Sequence, residues 1–237
     1  MFSNILNLEY ESSTIDWCET NYYFNNVICE FNNSWSSLLY SLFAIYTIVY
    51  YSKFINNFFI YLIICSSIMV GITSFIFHST LSIGGQIMDE SSIIMFIITS
   101  DLTLNNNYYN SIIFSILLLL SLYIPHYCRF ILLGCGFFII YNTHQNIKNK
   151  YKSVVPYFIN NLYLLIIGVF FWILEMLICD SLVFATHFIF HIMTSIALHN
   201  LIILTIIINN NQVALDNDIL FFTLKEKKPN SPFNKIL

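Results

Sequence analysis

Apolar residues run through this chain in long blocks separated by short polar stretches, and the lengths of those blocks predict its elements. A helix crossing a bilayer needs roughly 20 mostly apolar residues. Seven blocks approach that length, at about 35–52, 55–77, 86–104, 108–125, 127–143, 157–179 and 184–208. The predicted fold is all-α, a seven-helix transmembrane bundle. The spans nearly exhaust the chain, which divides into a polar head over 1–34, a bundle over 35–208 and a polar tail over 209–237. The loops are too short to hold a separate water-soluble domain.

Composition supports the membrane reading. Of 237 residues, 57% are hydrophobic and 9% charged, and the mean hydropathy is +0.71, values that exclude an ordinary water-soluble domain. The first 34 residues hold no Lys or Arg and no apolar core of the length a cleavable signal requires, so the first span is expected to serve as the insertion signal. Charge then orients the bundle. With the head outside, the inner side carries Lys53, Lys148, Lys150, Lys152, Lys225, Lys227, Lys228 and Lys235, and the outer side carries only Arg129. The N-terminus is therefore expected in the lumen or outside, and the C-terminus in the cytosol. The net charge of −4 adds little. Its segregation adds more, because Glu9, Glu11, Asp16, Glu19 and Glu30 gather in a head without a basic residue, and acids crowded in this way suggest a cation partner.

The candidate chemistry centres on Phe184-Ala185-Thr186-His187-Phe188-Ile189-Phe190-His191. His187 and His191 lie about one helical turn apart and share a face, so one metal ion can sit between them. Alone, such a pair equally suits helix packing. The second span ends Ser74-Phe75-Ile76-Phe77-His78, with Ser74 one turn before His78, and the third opens Met88-Asp89-Glu90 after a loop containing Gly84 and Gly85. The alternation of spans brings His78, Asp89, His187 and His191 to one depth. Three imidazoles with an open fourth position suit a hydrolytic zinc ion, Asp89 suits a proton acceptor, and Ser74 suits a hydrogen-bond donor to an oxyanion. His126, His144 and His199 read as structural or interfacial.

In the head, Asp16, Glu19, Asn21 and the later Glu30 space oxygen donors as a calcium loop does, although a solvated acidic head capping a helix would look the same. Glu175 in the sixth span requires a buried partner. Cys18 and Cys179 both fall on the outer side, where an oxidising lumen permits pairing. Cys29, Cys65 and Cys135 read as small apolar residues, and Cys128 lies near the outer surface.

These stretches resemble the alkaline ceramidases, seven-span amidases that cleave ceramide to a sphingoid base and a fatty acid. The resemblance rests on Asp16-Trp17-Cys18-Glu19 with Asn21 and Glu30-Phe31, on Ser74 with Phe77-His78-Ser79-Thr80-Leu81 and Asp89-Glu90, and on Cys179 with Ser181-Leu182, His187 and His191. It implies a zinc ion on His78, His187 and His191, with Ser74 and Asp89 as catalytic residues. It also implies a calcium ion on Asp16, Glu19, Asn21, Glu30 and the Trp17 carbonyl, and it aligns Cys18 and Cys179 with motif cysteines, so an intrachain disulfide between them is expected. The implied partner is a ceramide-type lipid, not a nucleic acid, and the implied location is the endoplasmic reticulum or Golgi. Asn32-Asn33 stands where the family has an aromatic residue, and Phe188-Ile189-Phe190 replaces a tryptophan-rich linker. The alternative is a seven-span receptor of the progestin and adiponectin type with a structural zinc site. An ion path through Asp89, Glu175 and the histidines is a third reading, disfavoured because the ligands share one level.

Overall fold

The computed structural model describes residues 11–105, 108–123, 125–179, 185–210, 213–216 and 221–226, without side chains at 111, 118, 119, 121–123, 125–128, 213, 216 and 226. Glu9, Asp180, Ser181, Leu182, Lys227, Lys228 and Lys235, and the side chains of His126 and Cys128, thus lie outside the described residues. Seven α-helices follow in order among those described: α1 Phe31–Tyr51, α2 Phe58–Thr80, α3 Ile83–Leu104, α4 Tyr108–Tyr123, α5 Pro125–Lys150, α6 Val155–Ile178 and α7 His187–Asn209. A short hairpin, β1 Val213–Asp216 paired antiparallel with β2 Thr223–Glu226, follows α7.

Each helix end has a local cause. The first N–H groups of α1 need acceptors, and Glu19 supplies them from outside the helix, one carboxylate oxygen accepting from Asn32 N at 2.6 Å and the other from Asn33 N at 2.9 Å. A negative charge at that end also suits the helix dipole. Asn57 caps α2 by accepting from Phe59 N, and Ser82 caps α3 by accepting from Gly85 N. The turn between α2 and α3 is only Leu81 and Ser82, with Leu81 left-handed at φ 45°. Gly84 and Gly85 therefore belong to the first turn of α3 instead of to a loop. The tight reversal brings α3 against α2, and a Cβ on Gly85 would lie 2.9 Å from Phe77 Cα.

The helices turn polar residues inward and apolar residues outward. On α1 the buried positions include Asn33, Ser34, Ser37, Ser41 and Thr47, and the exposed ones include Trp35, Leu42, Ile45 and Val49. A protein in water would do the reverse; an apolar outer surface on this scale is what a bilayer solvates. By length and composition, α2, α6 with its preceding turn, and α7 are each able to cross a membrane. Without a hydrophobic drive between helices in lipid, close approach and interhelical hydrogen bonds, at about 0.6 kcal/mol each, carry the association. Ser41 Oγ donates to Ile68 O, Ser67 Oγ to Tyr40 O, and Asn161 Nδ2 to Ala197 O. Gly71 permits the closest crossing: a Cβ there would meet Ser41 N at 2.7 Å.

The hairpin closes the far end of the bundle. Phe222 is fully buried, its N–H donates to Asn200 Oδ1 at 2.8 Å, and its carbonyl lies 3.1 Å from His199 Nε2. Phe221 stacks on His199 with ring centroids 4.0 Å apart. His199 is thus a structural residue, and part of the polar tail packs as a folded element, anchored by an aromatic pair that hydropathy alone does not single out.

The crossing at Gly71 yields a test. Gly71→Val should destabilise the protein by about 1–3 kcal/mol through overpacking, read as a lowered Tm in detergent. Gly134→Ala, where no atom lies within 4 Å of an added Cβ, should leave Tm unchanged or raise it.

Candidate functional site

Three turns of backbone converge at the head end. The last turn of α2 carries His78, the start of α7 carries His187 and His191, and the segment Glu11–Glu30 folds over both. Backbone hydrogen bonds fasten that segment: Ser13 N to Leu81 O, Ile83 N to Glu11 O, Cys29 N to Ser79 O and Glu30 N to His78 O. A disulfide joins Cys18 to Cys179 at the end of α6, with Cα atoms 5.4 Å apart. Glu175, buried one turn earlier, accepts from Cys18 N at 2.9 Å and from both N and Oγ1 of Thr186, which precedes α7. The partner this buried acid requires is therefore the junction of head, α6 and α7.

His78, His187 and His191 are all buried, and a ligand atom of each lies within 4.8 Å of the others, close enough for one metal ion. Their hydrogen bonds decide which nitrogens remain. His78 Nδ1 lies 2.6 Å from Glu30 Oε2. His191 Nδ1 lies 2.9 Å from Ser36 Oγ, which is also 3.1 Å from Asn33 O. An Nδ1–H on both rings would leave Nε2 as the free lone pair, as a metal-ligating imidazole needs. His187 Nδ1 is buried with no partner among the described residues, and the Trp17 ring stacks on His187 at 3.8 Å between centroids.

Asp89 and Ser74 face the same space. Ser74 lies beside the Asp89 carboxyl group, whose Oδ1 is buried without a hydrogen-bond partner among the described residues. Both residues and all three histidines line one cavity of about 300 Å³, whose other walls are mostly apolar side chains such as Phe77, Phe96, Leu132, Val169 and Leu201. Tyr40 also lines it, its hydroxyl 2.5 Å from Thr194 Oγ1. His144 instead packs against Phe158.

Hydrogen bonds link several of the predicted calcium residues. Asn21 Nδ2 donates to Asp16 Oδ1 at 3.3 Å, Trp17 N to Glu30 Oε1 at 3.0 Å, and Asn33 Nδ2 to Glu30 Oε2 at 3.0 Å. Burial lifts the Glu30 carboxyl to about 7 and the Glu19 carboxyl above its ordinary range. The charge of Asp16 adds to the effect on Glu30, and that of Glu30 to the effect on Glu19. Oxygen donors suit a hard divalent cation in chemistry, but the carboxyl groups of Asp16, Glu19 and Glu30 are not drawn within one ion's reach of each other as the three histidines are, and both Glu19 oxygens accept from the start of α1.

Two kinds of residue escaped the reading of sequence. Ser36 contacts the His191 ring and Asn33 the Glu30 carboxylate, yet a serine and an asparagine in a helix carry no distinguishing pattern. The Trp17 ring matters as much as its carbonyl, a contact between residues 170 positions apart that spacing cannot reveal.

Residues 9–230 match the family of ceramidases. Alkaline ceramidase 1 of Homo sapiens is 31% identical over 87 residues, 36% of this chain and 33% of that protein. An alkaline ceramidase of Drosophila melanogaster is 37% identical over 120 residues, 46% of this chain and 42% of that protein. One from Saccharomyces cerevisiae is 40% identical over 81 residues, 33% of this chain and 25% of that protein. The matched stretch spans between a quarter and under half of the length of these relatives.

The disulfide gives the test for this region. Peptide mapping without reduction should recover Cys18 linked to Cys179, and reduction should lower stability by about 2–5 kcal/mol. Free thiols at both positions in native protein would contradict the arrangement of head and α6.

Proposed function

The chain belongs to the ceramidase family, and from that premise we propose that it is a zinc-dependent amidase that hydrolyses the amide bond of ceramide to a sphingoid base and a fatty acid. The observation that carries this reading is the meeting of His78, His187, His191, Asp89 and Ser74 on one largely apolar cavity. A polar cluster at the bottom of an oily space suits a substrate whose reacting amide joins two hydrocarbon chains.

In this reading Nε2 of His78 and of His191, together with His187, holds the ion. Glu30 and Ser36 orient the first two rings through their Nδ1 atoms. Bound zinc would supply Lewis acidity toward the amide carbonyl and a hydroxide nucleophile near neutral pH. Asp89 takes the proton from the attacking water and passes it to the departing nitrogen, a transfer its unpaired Oδ1 is available to perform. Ser74, turned from Asp89 to the substrate, donates to the oxyanion of the tetrahedral intermediate. The apolar walls hold the acyl chain and exclude bulk water.

Calcium in this reading is held by Asp16, Glu19, Asn21, Glu30 and the Trp17 carbonyl. Glu30 would serve both ions, facing the head through Oε1 and His78 through Oε2. The wider frame is seven spans with the head lumenal and the tail cytosolic, divided as 1–34, 35–208 and 209–237, in the endoplasmic reticulum or Golgi. The inverted polarity of the helices and the three membrane-capable helices support it.

Three substitutions test the assignment. His187→Ala should remove most bound zinc, measured by elemental analysis, and with it ceramide hydrolysis; stoichiometric zinc with full turnover would refute the site. Asp89→Asn should keep zinc and lose turnover, whereas Ser74→Ala should lower kcat by up to about 10²–10³. For calcium, melting temperature and hydrolysis followed against free calcium should rise in the wild type and respond far less in Glu19→Ala. Identical responses would place calcium elsewhere.

A further inference from the structure

The first turn of α5 carries one cation, Arg129, to a place where two cavities meet. Ile15, Trp17 and Arg129 line the apolar cavity that contains the histidine cluster. The same three residues line a second pocket of about 200 Å³, whose polar walls include Thr14, Asp16 and Glu175. No other lysine or arginine lines either space among the described residues. Arg129 Nε is buried without a hydrogen-bond partner, and the guanidinium carbon lies 5.4 Å from the Phe130 ring centroid. Of the acids lining the second pocket, Glu175 is engaged with Cys18 and Thr186, and Asp16 with Asn21. No carboxylate pairs with Arg129 among the described residues.

A guanidinium on the rim of an apolar cavity in a membrane protein is costly without an anion. Its planar fork matches a carboxylate with two parallel hydrogen bonds. We propose that Arg129 is a carboxylate-binding site, holding the head of a fatty acid whose chain lies in the apolar cavity. The source of that ligand rests on the ceramidase reading. Hydrolysis breaks the C–N bond, the acyl carbon gains the oxygen of water, and the nitrogen gains a proton. Ceramide is neutral, and of the two products only the acid ionises to an anion. A lone cation beside the reacting cluster thus distinguishes product from substrate by charge, and it draws the carboxylate away from the cluster once the bond is broken.

The test is binding of a fluorescent long-chain fatty acid, and of the fatty alcohol of the same length, to the full-length protein in detergent above the pKa of the acid. Relative to wild type, Arg129→Gln should bind the acid about tenfold more weakly and the alcohol equally well, with Arg129→Lys in between. Unchanged alcohol binding also reports that the cavity has kept its shape. Equal acid affinity in wild type and Arg129→Gln would overturn the proposal, as would equal losses for acid and alcohol, which would make Arg129 a wall of the cavity only. Ceramide hydrolysis measured on the same preparations separates the two readings. An inactive wild type that still binds the acid through Arg129 would remove the ceramidase reading and keep this one. An active wild type without Arg129-dependent binding would do the opposite.

Discussion

Glu30 is the residue through which the head, the bundle and the histidine cluster are fastened together. Its N–H donates to the carbonyl of His78 and its own carbonyl accepts from Ser34. One carboxylate oxygen accepts from Trp17 N, and the other from Asn33 Nδ2 while facing His78 Nδ1. Every polar atom of a fully buried acid is thereby used. Removing the side chain would leave at least two buried donors without acceptors, each a penalty of about 1–3 kcal/mol, at the point where α1 starts and α2 ends. The position of His78 is as much a property of the head as of α2, which makes the acidic segment part of the site and not an appendage to it.

This fastening matters because the environment offers little else to hold polar groups in place. Where lipid surrounds a bundle, burying hydrocarbon between helices gains almost nothing over leaving it in lipid, so packing distance and hydrogen bonds decide the arrangement. The helices accordingly place serine, threonine and asparagine inward, with Ser66 against Thr99, Thr73 against Ser92 and Tyr40 against Thr194. These polar contacts lie beside an apolar core that includes Ile60, Ile63, Ile64, Ile202, Ile203 and Leu204, and the cavity beside the histidines extends that oily character up to the polar cluster.

How much of this could be read from the chain follows from the same physics. Helices in lipid declare themselves by length of apolar run, so the number of blocks agreed with the seven helices described. Their ends were harder, because ends are set by caps: Leu81 in a left-handed conformation with Ser82 behind it closes a turn that hydropathy spreads over eight residues. The histidines were legible because ionisable groups in apolar runs are rare and because alternating helices equalise depth. Trp17 on His187 and Ser36 under His191 were not, since each joins parts of the chain more than 150 residues apart and neither residue type is unusual where it stands. The hairpin with Phe221 and Phe222 was hidden for a related reason, a short apolar run in the tail being too brief to give a span or a periodic signal.

The link from Cys18 to Cys179 also sets a timetable for synthesis. The two cysteines are 161 residues apart, and a ribosome adding about 5–20 residues per second needs roughly ten to thirty seconds to pass from one to the other. Throughout that interval Cys18 has been made and its partner has not, while Cys29, only eleven positions away, is available for a mistaken bond. Cys29 lies buried between the head and α2, its N–H held by Ser79 O. Once α2 has emerged, early docking of the head on that helix would hide the competing thiol and leave Cys18 waiting for α6. The order in which the head folds thus doubles as proofreading of the disulfide during biogenesis.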